Sequence, residues 1–191
     1  MIQDDSHTEG FKDDEYLELK ATLLTIEGKY EEAKRIINQL IDRDPYAVSY
    51  WNLLANTQFK NGETKECVTS SEYALAINPN DPEAIYYKAN GLYVLGNIEG
   101  ALHCFERYCE LMPSNANGEF LQGICLNDLN RFEEALDHLK KAEQLMENDG
   151  MCLFEPTNLY QELAVAYSHT NHPEEAMSYL GKMNNHNEKE S

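Results

Sequence analysis

The chain has 191 residues, with 34 acidic against 15 basic side chains and a formal charge of −19. Nucleic-acid binding depends on Lys and Arg that neutralise phosphates, so this balance argues against nucleic acid as a partner and, for the same reason, against an anionic membrane surface. Neutral or basic partners remain, and no stretch approaches the roughly 20 apolar residues of a membrane span.

The opening Met1-Ile2-Gln3-Asp4-Asp5 has no basic start and no apolar run, so no signal peptide is expected. Residues 1–13 set Asp4, Asp5, Glu9 and Asp13 against Lys12 and hold little apolar surface, which predicts a flexible acidic arm. Tyr16, Leu17, Leu19, Leu23 and Leu24 then mark a helix that stops near Gly28. A second helix carries Ala33, Ile36, Ile37, Leu40 and Ile41 at helical spacing and is closed by Pro45. Trp51 is expected to anchor neighbouring helices, because a large aromatic side chain gains a few kcal/mol on burial. In Asn78-Pro79-Asn80-Asp81-Pro82, Asp81 suits a helix cap and Pro82 the first helical position.

The next helices are marked by Ile85, Ala89, Leu92 and Tyr93 before Gly96, and by Ala101, Leu102, Phe105 and Tyr108 after it. Phe120, Leu121, Ile124 and Leu129 mark the following one, and Phe132, Ala135, Leu136 and Leu139 its partner. An insertion at 150–156 holds the apolar run Met151-Cys152-Leu153-Phe154. Either the preceding helix is lengthened and this run tucks inward, or it forms an exposed contact. A last pair brings Tyr160, Leu163 and Tyr167, then Met177, Tyr179 and Leu180, and 184–191 is a polar tail. Without a polar cap, part of that last surface is expected to lack cover and to serve self-association or docking.

These elements repeat. Trp51, Leu54, Ala55, Gly62, Cys67, Ala74 and Pro79 recur 34 residues later as Ile85, Lys88, Ala89, Gly96, Ala101, Tyr108 and Pro113, and 34 earlier as Leu17, Lys20, Ala21, Gly28, Ala33, Leu40 and Pro45. Further on the frame gives Glu119, Gln122, Gly123, Asn130, Ala135 and Ala142, then Tyr160, Leu163, Ala164, Asn171 and Ala176. The pattern resembles the tetratricopeptide repeat family. The resemblance implies an all-α fold, a right-handed solenoid of about five helix-turn-helix repeats at 14–47, 48–81, 82–115, 116–149 and 157–190, as one body over 14–183.

Chemical motifs are sparse. Cys67, Cys104, Cys109, Cys125 and Cys152 are odd in number with no C-x-x-C pair, so neither a disulfide framework nor a zinc site is indicated, and a reduced cytoplasmic protein is expected. There is no G-x-S-x-G, phosphate-cradling glycine loop or H-E-x-x-H. His169 and His172 bracket a turn without a third ligand, and His103 and His138 read as solvated. Glu31-Glu32, Glu133-Glu134 and Glu174-Glu175 each open a second helix, where negative charge meets the helix N-terminus favourably. Neither enzyme activity, metal nor cofactor is expected.

In proteins similar to this one, the second, fifth, ninth and twelfth residues of each unit line a concave groove. That carries over to Glu15, Glu18, Thr22 and Thr25 in the first unit and to Asn52, Asn56 and Phe59 in the second. It gives Tyr86, Asn90 and Tyr93 in the third unit and Asn117, Phe120, Ile124 and Asn127 in the fourth. An amide pairs with one peptide unit of an extended chain, and the aromatics supply pockets. The cations with which one branch of the family clamps acidic tails are missing here. The sequence therefore predicts a noncatalytic module that binds an extended neutral or basic peptide through Asn52, Asn56, Phe59, Tyr86, Asn90, Tyr93, Phe120 and Asn127. The alternative is an assembly scaffold that uses its C-terminal end, its insertion or its convex face, a homodimer through the last repeat included.

Overall fold

The computed structural model describes residues 6–149 and 152–190, with side chains described for 13–148 and 152–184. The regular elements among these residues are helices, and they fall into two compact units, one ending at Leu95 and the other starting at Gly96. The first holds α1 (Ser6–Ile26), α2 (Tyr30–Arg43), α3 (Val48–Lys60), α4 (Thr64–Ile77) and α5 (Pro82–Val94). The second holds α6 (Ile98–Leu111), α7 (Ala116–Asp128), α8 (Phe132–Asp149), α9 (Pro156–His169) and α10 (Pro173–Glu190). Within each unit, consecutive helices pack as antiparallel neighbours. No helix among the described residues is long and apolar enough to cross a membrane.

The hairpin turns follow from one backbone requirement. Gly28, Gly62, Asn130 and Asn171 have φ of 76°, 78°, 57° and 63°, the left-handed region that glycine and asparagine enter most easily. The next amide then bonds back five residues, as in Glu63 N–H to the Gln58 carbonyl at 2.9 Å and Arg131 N–H to the Leu126 carbonyl at 2.8 Å. At Gly62 a Cβ would meet nothing within 4 Å, so any penalty for adding one is conformational. Gly62→Ala is accordingly expected to cost about 1–2 kcal/mol in urea unfolding, whereas Asn130→Gly, which keeps the turn accessible, leaves the midpoint nearly unchanged.

The small residues of the repeat are where two helices approach closely. Ala21, Ala33, Ala55, Cys67 and Ala74 in the first unit and Ala101, Ala135 and Ala142 in the second are fully buried. Around Ala21 and Ala33, Ile37, Ile41, Leu53 and Leu54 form a core on which Leu24, Ile36, Tyr50 and Trp51 pack. Burial pushes the Cys67 thiol up to about 11, as befits a packed thiol. Asp81 caps α5 by accepting the Ala84 N–H at 2.8 Å, with Pro82 in the first turn.

Several boundaries differ from the sequence reading. The backbone of residues 6–13 is helical where a flexible arm is expected, and α10 runs to Glu190 through most of the expected tail. Helix propagation adds one hydrogen bond per residue once nucleated, and no proline interrupts either segment. Arg43 pairs with α1 at Asp13, at 3.0 Å, and Asp14. Residues 1–5 lie outside the described residues. Helix α8 has 18 residues against 14 in α2, α4 and α6, so the helix before the insertion is lengthened; of the apolar run, Phe154 packs inward, Leu153 is exposed and Met151 lies outside the described residues.

Candidate peptide-binding faces

In the first unit α3 packs on α5, which puts their equivalent residues side by side. Asn56 and Phe59 on α3, and Tyr86, Asn90 and Tyr93 on α5, are all half-buried, each with a supported body and an open edge. Asn90 Nδ2 donates to the Tyr86 carbonyl at 2.7 Å and the amide also bonds the Tyr86 hydroxyl, which leaves the amide oxygen as the acceptor for a ligand. Burial pushes the Tyr86 hydroxyl up, opposed by a hydrogen bond with Asn90, so it is a neutral phenol near pH 7.

Asn52 sits deeper, at 4% exposure. Its Nδ2 donates to Asp81 Oδ1 at 2.8 Å and reaches Glu83 Oε2 at 3.5 Å, whereas its Oδ1 is buried without a partner among the described residues. Burial, then the neighbouring Asp81, raises the Glu83 pKa, and the Asn52 N–H opposes them. Asn52 thus joins two repeats before it can line a groove. Thr25 is likewise interior: its hydroxyl meets that of Thr57 at 2.8 Å, between α1 and α3.

The second unit departs further from expectation. Phe120 is 6% exposed because Phe154 covers it, with ring centroids 4.3 Å apart. Asn117 accepts the Leu153 N–H on Oδ1 at 2.6 Å. Asn127 Nδ2 donates to the backbone carbonyl and the carboxylate of Glu162, at 3.1 and 2.9 Å, and its buried Oδ1 has no partner among the described residues. Phe120 and Asn127 are therefore packed residues rather than open groove lining. The face that periodicity assigns them to is occupied by the insertion and by α9.

Two arrangements have no place in the sequence reading. Trp51 does join helices, by stacking on Tyr73 of α4 at 4.6 Å, and its Nε1 donates to the Pro45 carbonyl at 2.9 Å. Yet the same pair, with Tyr46 and Ile77, lines an open cleft of about 580 Å³, and Tyr46 is 77% exposed. A signal was present in the tyrosine that follows Pro45 and in the outward position of Tyr73 on its helix.

The other is a buried carboxylate. Glu119 takes the place of a large residue in its repeat and is 2% exposed, with His138 Nδ1 donating at 2.8 Å and Lys141 Nζ at 2.6 Å. His138 is therefore paired rather than simply solvated. His169 stacks on Phe132 at 4.2 Å, and no group of three or more His, Cys, Asp and Glu among the described residues converges for a metal ion.

The tetratricopeptide repeat family model matches residues 21–84, and the model described as "Anaphase-promoting complex, cyclosome, subunit 3" matches residues 69–142. The chain is a tetratricopeptide repeat protein. Such repeats serve as modules for protein–protein interaction. Among curated relatives, Superkiller protein 3 of Saccharomyces cerevisiae is 28% identical over 82 residues, which are 43% of this chain and 6% of that protein. Protein O-mannosyl-transferase TMTC1 of Mus musculus is 24% identical over 139 residues, 67% of this chain and 15% of that protein. The repeats thus span a small fraction of either relative. Among solved structures, MamA from Desulfovibrio magneticus is similar with a TM-score of 0.78 at 18% identity, over 89% of this chain and 92% of that one. At that identity the likeness is one of fold.

Proposed function

We propose that the chain is a noncatalytic cytoplasmic interaction module whose α3–α5 face binds an extended, neutral or basic segment of a partner protein. The observation that carries this reading is the set of half-buried side chains on that face, two amides and three aromatics on two packed helices. Fully exposed side chains would lose much rotamer freedom on binding, and fully buried ones could not touch a ligand. The charge of −19 steers basic segments toward the protein and repels acidic tails.

Asn56→Ala with Asn90→Ala tests the face. The helical signal should be retained, because both side chains keep an open edge and only Asn90 closes a bond within its own helix. Losing two ligand hydrogen bonds, each about 0.5–1.5 kcal/mol, predicts an affinity lower by about 5- to 150-fold for a protein captured from lysate by the parent chain. Undiminished capture by the folded double variant would move the contact elsewhere.

The exposed Tyr46–Trp51–Tyr73 cleft favours a second reading, docking through the outer side of the first unit. Tyr73→Ala would then abolish capture where the amide variant does not. Met177 and Leu180 on α10, 73% and 48% exposed, support a homodimer through the last repeat, and a monomeric mass in sedimentation at high micromolar concentration would remove that version.

A further inference from the structure

The insertion does more than cover Phe120. Asn117 and Phe120 occupy the second and fifth places of the fourth unit, and they hold the 152–154 segment as a peptide-binding face would hold a ligand. The Asn117 amide oxygen accepts the backbone N–H of Leu153 at 2.6 Å, and Phe120 receives the next side chain, Phe154, at 4.3 Å between rings. Leu153 itself points away at 81% exposure, and a bend of the backbone at 153–154 turns Phe154 into the pocket. Cys152 Sγ donates to the Phe154 carbonyl at 3.2 Å and stiffens the turn. A loop needed only to bridge two helices requires neither an amide grip nor a ring in a pocket.

We infer that the α7 face around Asn117 and Phe120 is a second peptide site, which takes a short segment with an aromatic residue directly after the gripped amide, and that the chain's own 152–154 segment fills it in cis. A partner with such a segment competes for the site, and its apparent affinity is reduced by the fraction of time the site stands open. The inference does not depend on the α3–α5 face, which belongs to the other unit.

The test uses the full chain and a fluorescein-labelled peptide of the 152–158 sequence. Phe154→Ala empties the aromatic pocket while Asn117 and Phe120 remain. If the cis segment holds the site about nine-tenths of the time, the variant binds the peptide up to about tenfold more tightly than the parent in an anisotropy titration. A control peptide with alanine in place of its phenylalanine should bind neither protein. Equal or absent binding by the folded variant would overturn the proposal. Should the variant fail to fold, hydrogen exchange on the parent decides. Exchange of the Leu153 amide through an opening that leaves α7 and α9 protected supports a displaceable segment, and exchange only together with those helices overturns it.

Discussion

Replacing His138 and Lys141 together by alanine is expected to destabilise the chain by about 3–5 kcal/mol in urea unfolding at neutral pH, because it strands the Glu119 carboxylate in the packed α7–α8 interface. Lys141 is half exposed and keeps its own hydration, so the loss arises on the buried partner rather than on the cations. Glu119→Gln in the same background should recover part of it, since a neutral amide needs no counter-charge. Loss of less than about 1 kcal/mol, the usual value of a surface pair, would show that the carboxylate is solvated in the folded variant and not stranded.

The same cluster sets a pH dependence. Burial by itself would raise the Glu119 pKa, but hydrogen bonds from His138 and Lys141 and their charge outweigh it and hold the carboxyl below its ordinary 4.5. A carboxylate whose folded value lies below its unfolded one contributes stability that is complete above about 4.5 and is lost as pH falls through the folded value. Thermal unfolding midpoints of the parent chain should therefore drop below pH 4.5, and this part of the drop should vanish in the alanine double variant.

The second large effect is a volume exchange between Gly123 and Leu139. Gly123 stands where other units carry alanine, and a Cβ there would lie 2.4 Å from Leu139 Cδ2 and 2.5 Å from its Cγ. Gly123→Ala alone is expected to cost about 1–3 kcal/mol by overpacking, less up to about 1 kcal/mol from better helix propensity. Leu139→Ala removes a fully buried side chain and should cost about 2–5 kcal/mol. In the double variant the new methyl enters space that Leu139 vacated, so the combined loss should fall short of the sum by about 1–3 kcal/mol. Strict additivity would mean that α7 and α8 separate rather than share that volume.

Much of the fold is legible in the residues because its determinants are local or strictly periodic. The positive φ at Gly62 and Asn130 is demanded by the turn that immediately surrounds each. The buried alanines recur because each hairpin meets its neighbour in the same way. Cap chemistry at Asp81-Pro82 needs only the next turn of helix.

The proposed face is legible only in part. The repeat register sets Asn56, Phe59, Tyr86, Asn90 and Tyr93 on one face with Phe120 as their equal, and the structure has the first five half-buried on the packed helices α3 and α5. Phe120 differs because Phe154 lies upon it, and an insertion falls outside the repeat that made the inference. Asn52 and Asn127 differ because carboxylates from the first helix of the next repeat or its cap, Glu162 and Asp81, claim their N–H groups. Glu119 fills a repeat position in the sequence, and only the structure puts His138 and Lys141 beside it.

The sequence by itself determined the helical hairpins, their turns and the small residues at their contacts, since backbone sterics and a 34-residue period act through near neighbours. Only the tertiary structure decided which inner positions stay open, because exposure depends on what a distant segment lays over a side chain. No period within a repeat encodes that cover.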